Sequence, residues 1–238
     1  MSKLISLFII LPIILLATGV PSLAQAPSQA TEEKPPIKKL AENIYQIGNI
    51  IVDGEKKEIS FDGWVNMSEG MVELLACAPG GKTHESVLVF DVEPFHFQIA
   101  LLLVGLECGG GLKYQGDPAT PKGDPVDIFV RWTDPVDSKD VSVRGEDLVF
   151  DIQKKRAMKR THWVFAGSRV IDGVFVAQAD KSLVTTYHDP NTILDNPLPT
   201  GADDTVYQVN SAVVPPVGTK VKVMVKPYEK RRSSRARR

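Results

Sequence analysis

Cysteine is nearly absent from this chain: only Cys77 and Cys108 occur in 238 residues. Two cysteines cannot frame a small disulfide scaffold, so the fold has to rest on a hydrophobic core. Aromatic residues are sparse at 7%, and neither sign of charge dominates, with 28 basic side chains against 29 acidic ones. Long apolar runs are missing too, apart from one at the N-terminus, which excludes a multi-span membrane protein. Hydrophobic residues at 43% and charged residues at 24% are ordinary for a globular domain and exclude intrinsic disorder, collagen and a coiled coil.

The single apolar run reads as an export signal. Lys3 supplies a positive n-region, Leu4 to Val20 an apolar stretch, and Ser22-Leu23-Ala24 ends in the small residue that a signal peptidase requires. Cleavage after Ala24 leaves about 214 residues, room for one large domain, with 27 bases against 29 acids, a net charge of 27 − 29 = −2. The expected location is therefore periplasmic or extracellular. Residues 25–36 are polar and proline-containing, a linker by composition. The last ten residues, 229–238, carry six bases and one acid, which leaves the body at 21 − 28 = −7. Such a block reads as a solvated basic tail, with contact to an anionic surface as its functional alternative.

Between linker and tail, residues 37–228 form one expected domain. Short β-branched or alternating runs recur at 44–52, 58–67, 71–77, 126–132, 148–151, 163–166, 170–178, 183–187, 206–209 and 220–225. Turn signals such as Asp53-Gly54 and Asp172-Gly173 separate several of them and favour antiparallel hairpins. The stretch 94–106 (PFHFQIALLLVGL) is too long and too evenly apolar for a half-buried strand; with Pro94 in its first turn it predicts one buried helix. The expected class is α+β: a mostly antiparallel β domain around that helix. Residues 109–125, rich in glycine and proline, form a long loop.

The densest cluster of reactive side chains is the turn from Cys77 to Ser86 (CAPGGKTHES). It ends like a phosphate-binding P-loop at Gly81-Lys82-Thr83, but Ala76 replaces the required first glycine. The zinc-protease spacing fails as well, since Leu88 stands where the second histidine belongs. Gly80 and Gly81 permit a tight, anion-receptive turn, and Lys82 adds positive charge. Gly80, Gly81, Lys82, Thr83, His84, Glu85 and Ser86 are thus the expected binding site for a small anionic ligand or a metal. His84 and Glu85 are the acid–base candidates should the protein be an enzyme. The bland alternative is a surface turn in which Thr83 caps the next segment and Lys82 pairs with Glu85; a structural module of the cell envelope is the third reading. His96, between two phenylalanines, reads as a core residue, His162 as exposed, and His188 as the end of a strand.

Export to an oxidising compartment predicts a Cys77–Cys108 disulfide. It would close about 31 residues and be worth roughly 3.5 kcal/mol by loop entropy. Metal ligation by Cys77, His84, His96 and Cys108, whose spacing matches no paired-ligand pattern, and unpaired thiols are the alternatives.

The run V-E-L-L-A-C-x-P-G-G-K-T-H-E-S over 72–86, followed by A-L-L-L-x-G-L over 100–106, resembles the YdjY-domain family of bacterial exported proteins. Phe165-Ala-Gly-Ser168, Tyr187-His-Asp-Pro190, Leu194-Asp-Asn-Pro197 and the ending from Val214 to Val221 carry the resemblance across about residues 42–227. It implies no assigned reaction. Some relatives are joined to ferredoxin modules, which implies a ferredoxin-like or membrane redox partner. This chain has no C-x-x-C-x-x-C run and holds no iron–sulfur cluster of its own. It also has Cys108 where the family pattern leads one to expect proline, which would make a disulfide particular to chains like this one.

Overall fold

A computed structural model describes residues 37–229. The expected signal (1–24), the linker (25–36) and the bases of the tail from Lys230 onward lie outside the described residues. The chain opens with β1 (Ile37–Ala41), β2 (Ile44–Ile47), β3 (Ile50–Asp53), β4 (Glu58–Val65), β5 (Leu74–Cys77) and β6 (Ser86–Phe90). Helix α1 (Pro94–Leu103) follows, then β7 (Pro125–Thr133), β8 (Asp140–Arg144), β9 (Val149–Asp151), β10 (Arg156–Ala157) and β11 (Trp163–Phe165). The hairpin β12 (Val170–Ile171) and β13 (Val174–Phe175) runs into the short α2 (Val176–Asp180). The last strands are β14 (Ser182–Thr185), β15 (Leu194–Asp195), β16 (Tyr207–Val209) and β17 (Lys220–Pro227).

Three long strands show why these residues extend. Ile59, Phe61 and Val65 of β4, Val126, Ile128, Val130 and Trp132 of β7, and Val221, Val223 and Val225 of β17 are all buried, while the residues between them are more exposed. That period of two gives each strand one apolar face. Strands β5 and β6 are buried at every position, so they read as continuous apolar runs covered on both sides.

The strands close on themselves. Following hydrogen-bonded neighbours, β4 pairs β17, then β7, β11, β15, β14, β5 and β6, and β6 returns to β4, an eight-stranded barrel. Two of its pairings, β14–β15 and β5–β6, are parallel and the rest antiparallel. Strands β1–β3 extend from β4 as an arm, and β8 extends from β7. At the seam β4 changes neighbours, with Glu58–Ser60 on β3 and Gly63–Val65 on β6. Gly63 makes this approach possible: a Cβ there would lie 2.5 Å from the Val89 carbonyl oxygen.

This closure overturns the expected α+β class. The protein is mostly β, and α1 is its one helix of seven or more residues among those described. A sheet rolled into a barrel buries its own inner face, so no central helix is needed as a second layer. Helix α1 instead buries Pro94, Phe97, Ala100 and Leu101 on one side and leaves Leu102 and Leu103 45% and 47% exposed. Phe97 still reaches the core, edge-on to Phe61 with centroids 5.6 Å apart. The helix ends in a Schellman turn at Gly105 (φ +86°), with Leu106 N–H donating to Leu101 O and Gly105 N–H to Leu102 O.

The cysteines are corrected as well. Cys77 and Cys108 are free thiols, one buried and one exposed. Cys77 packs with Leu74, Val89 and Trp64, whereas Cys108 lies past the end of α1 against Gly167. Their separate surroundings are the physical reason that adjacency in a two-cysteine count does not become a bond.

Candidate functional site

The turn after β5 is shaped from within. Gly80 takes the left-handed conformation (φ +79°) that a side chain would strain. A Cβ on Gly81 would lie 2.8 Å from the Lys181 Cβ and 3.0 Å from Ala78 O, so this glycine serves close packing. Gly81 N–H donates to Ala78 O, Thr83 N–H to Gly81 O and Glu85 N–H to Lys82 O. Those amides are therefore used inside the turn and are not presented to an anion. Thr83–Glu85 form a single 3-10 turn whose N-cap is Lys82, with no side-chain cap, so Thr83 does not cap it. Asn66 Nδ2 donates to Thr83 O (2.6 Å) and Ser86 O (2.7 Å), and Ser86 Oγ donates to Lys82 O (2.8 Å).

The two side chains of greatest interest part company here. His84 points outward with 79% of its side chain exposed, its Nε2 3.6 Å from Glu85 Oε2. Lys82 turns inward, its Nζ 3.3 Å from Glu85 Oε1. Burial opposes the charge of Lys82, but Glu85, with help from Asp189 and Glu73, outweighs it and raises its pKa. Around that ammonium the carboxyls are themselves perturbed. Burial, then the charge of Glu85, pushes Glu73 up, with Lys82 pulling the other way. Burial likewise pushes Asp189 up, against the Asn191 N–H that bonds it and the charge of Lys82. Gln115 reaches over from the 109–125 loop, its Nε2 3.4 Å from Glu73 Oε2.

Behind Asp189 lies Asp195, fully buried and pushed up to about 8 by that burial. Thr185 Oγ1 (2.9 Å) and Asn196 N–H (2.8 Å) donate to its Oδ1 and partly offset the shift. The run from Thr185 to Asn196 packs Thr185, Thr186, His188, Asp189, Thr192, Asp195 and Asn196 out of solvent. His188 Nδ1 is 2.6 Å from Asp117 O and its Nε2 2.8 Å from Asn196 O. The ring thus ties the 109–125 loop to the 186–197 segment, and Gly116 N–H donates back to His188 O. That loop is a fastened wall of the site. Cys77, beneath the turn, is pushed up by burial despite a hydrogen bond with Ser86, a poor setting for a nucleophilic thiol.

The structure therefore brings Lys82, Glu85 and Ser86 together with Glu73 and Asp189, and leaves His84 outside. Among the described residues no three His, Cys, Asp or Glu side chains are grouped to hold a metal ion. Cys77, His84, His96 and Cys108 lie in four different surroundings. His96 is only half-buried, against Gly48. His162 is less exposed than its sequence context implies: it stacks on Tyr228 with centroids 3.4 Å apart and lies 2.9 Å from Asp127 Oδ1. Glu73 and Asp195 are the residues that sequence reasoning misses, and the enclosure of His188, read there as the end of a strand, is not foreseen. Their signal is a crowd of polar side chains in a stretch flanked by apolar strands.

The sequence profile of the YdjY domain matches residues 50–226, from the start of β3 to the penultimate residue of β17, a span that takes in all eight barrel strands. The chain belongs to the YdjY domain family. No curated protein and no solved structure matches it.

Proposed function

We propose that this YdjY-domain protein is exported and acts as a ligand-binding domain, with the Lys82 cluster as its site and a small cation-bearing molecule as its ligand. One observation carries the reading: the Lys82 ammonium pairs with Glu85 at 3.3 Å and also feels the charges of Asp189 and Glu73, so one amine faces three carboxyl groups on a partly buried surface. A single amine does not neutralise three carboxylates, and a surface of one sign draws ligands of the other. The sign opposes the anionic ligand expected from sequence, because the Gly81, Thr83 and Glu85 amides bond within the turn and the lysine is paired with Glu85. Ligand amine groups would pair with Glu73 and Asp189, whose raised pKa values mark ionised forms that burial disfavours and that a cation would relieve.

Calorimetric titration of the purified protein with spermidine and with citrate tests this. Spermidine is expected to bind saturably, weakened about tenfold, or roughly 1.4 kcal/mol, by Glu73→Gln and again by Asp189→Asn. Citrate binding in place of spermidine would reverse the sign and sink the proposal. Spermidine affinity untouched by both substitutions would remove the site.

A further inference from the structure

On another face of the barrel, a groove of about 800 Å3 runs across the outer surfaces of β4, β17, β7 and β8. Its volume lies in the range of about 300–1,000 Å3 usual for small-ligand sites, and it shares no lining residue with the Lys82 cluster. Strand register builds its floor: Lys220 lies opposite Trp64, Lys222 opposite both Asp62 and Arg131, and Arg131 opposite Ser142.

The charges here are paired in only one place. Asp62 is taken by Lys222 at 3.1 Å, whereas Asp140 accepts from Thr133 Oγ1 at 3.0 Å and Asp91 from Asn49 Nδ2 at 3.2 Å, neutral partners that leave both carboxylates their charge at the rim. Lys220 and Arg131 have no carboxylate partner among the described residues; Arg131 Nε reaches only Ser142 Oγ, at 3.3 Å. Lys220 Nζ lies over the half-exposed Trp64 ring, 5.0 Å from its centroid. The indole is backed by Leu74, Cys77 and Val89, which fix it as a platform.

We propose that this groove binds an acidic saccharide. A pyranose ring offers a flat face of C–H groups that stacks on an indole, and its hydroxyls both donate and accept, as alternating Asp62, Lys222 and Ser142 require. Stacking would turn the Lys220 ammonium, which lies over the indole, aside to meet an acid group on that ring, and the next acid group along the oligomer would meet Arg131. A flat aromatic anion would satisfy the indole and one cation but leave the row of hydroxyl partners across three further strands unused.

Titration of the full chain with oligogalacturonate, read by quenching of tryptophan emission, tests the proposal, with a cello-oligosaccharide of the same length as the neutral comparison. Oligogalacturonate should bind saturably and the neutral oligomer at least tenfold more weakly, and Arg131→Gln and Lys220→Gln should each lower affinity about tenfold. Trp64→Ala should abolish binding; because Trp64 packs on a small apolar cluster, a melting curve accompanies it, and the two exposed-cation variants stand independently of that result. Absence of saturable binding, equal affinity for the neutral oligomer, or indifference to both cation substitutions overturns the proposal.

Discussion

Asp195 shows how far burial, aided by the charge of Asp189, moves one side chain. Its carboxyl rises from the ordinary 3.8 to about 8, so between about pH 4 and pH 8 the folded protein holds a proton that the unfolded chain has released. Bound protons favour the state that binds them, so this contribution is complete below about pH 4 and is lost as pH climbs toward 8. Glu73 and Asp189 are shifted in the same direction and add to the slope. Asp195→Asn keeps an acceptor for Thr185 Oγ1 and removes the titration. The variant should lose less melting temperature than wild type between about pH 5 and about pH 8.5; parallel curves for the two proteins would contradict the assignment. The same neighbourhood explains why sequence does not order the histidines by burial. His84 stands beside a carboxylate in a glycine-rich turn and is exposed, while His188, flanked by Tyr187 and Asp189, is enclosed because Asp117 and Asn196 come to it from elsewhere in the chain.

Elements with a strong local period are legible in the sequence. Strands β4, β7 and β17 fall where alternation puts them, and α1 begins at the expected Pro94 and stops three residues early, at Leu103. The run 170–178 resolves into a two-residue-strand hairpin and α2, since its apolar pattern suits either form. Strand β6 is hidden because SVLVF adjoins a turn whose side chains suggest chemistry, and β8 because DVSVR is held only as an edge to β7. What no local pattern encodes is the seam, where β4 leaves β3 for β6. Gly63 allows it, so Gly63→Ala should destabilise the protein by about 2 kcal/mol or more through overpacking against the Val89 carbonyl. Denaturant unfolding measures this directly, and an unchanged midpoint would show that the seam yields to a methyl group.

As a whole, the molecule is a closed sheet, and closure sets its cooperativity. The last strand, β17, lies between β4 and β7 and bonds to both along most of its length. A chain ending at Thr219 would expose the edges of both neighbours, and unpaired edges recruit other chains. Such a truncation is expected to elute as aggregate in size exclusion and to lose its near-ultraviolet circular dichroism. A soluble, folded monomer would show that seven strands suffice.

The placement of β17 also sets a clock. Lys222 meets Asp62 across 160 residues of sequence. At about 5–20 residues per second of synthesis, that separation is a wait of roughly 8–30 s between the appearance of β4 and the arrival of its partner. During it β4 can zip to β3 and then to β6 on one side only. Its other edge stays an open template for the whole interval, so the moment of greatest danger for this protein falls before its final strand has been made.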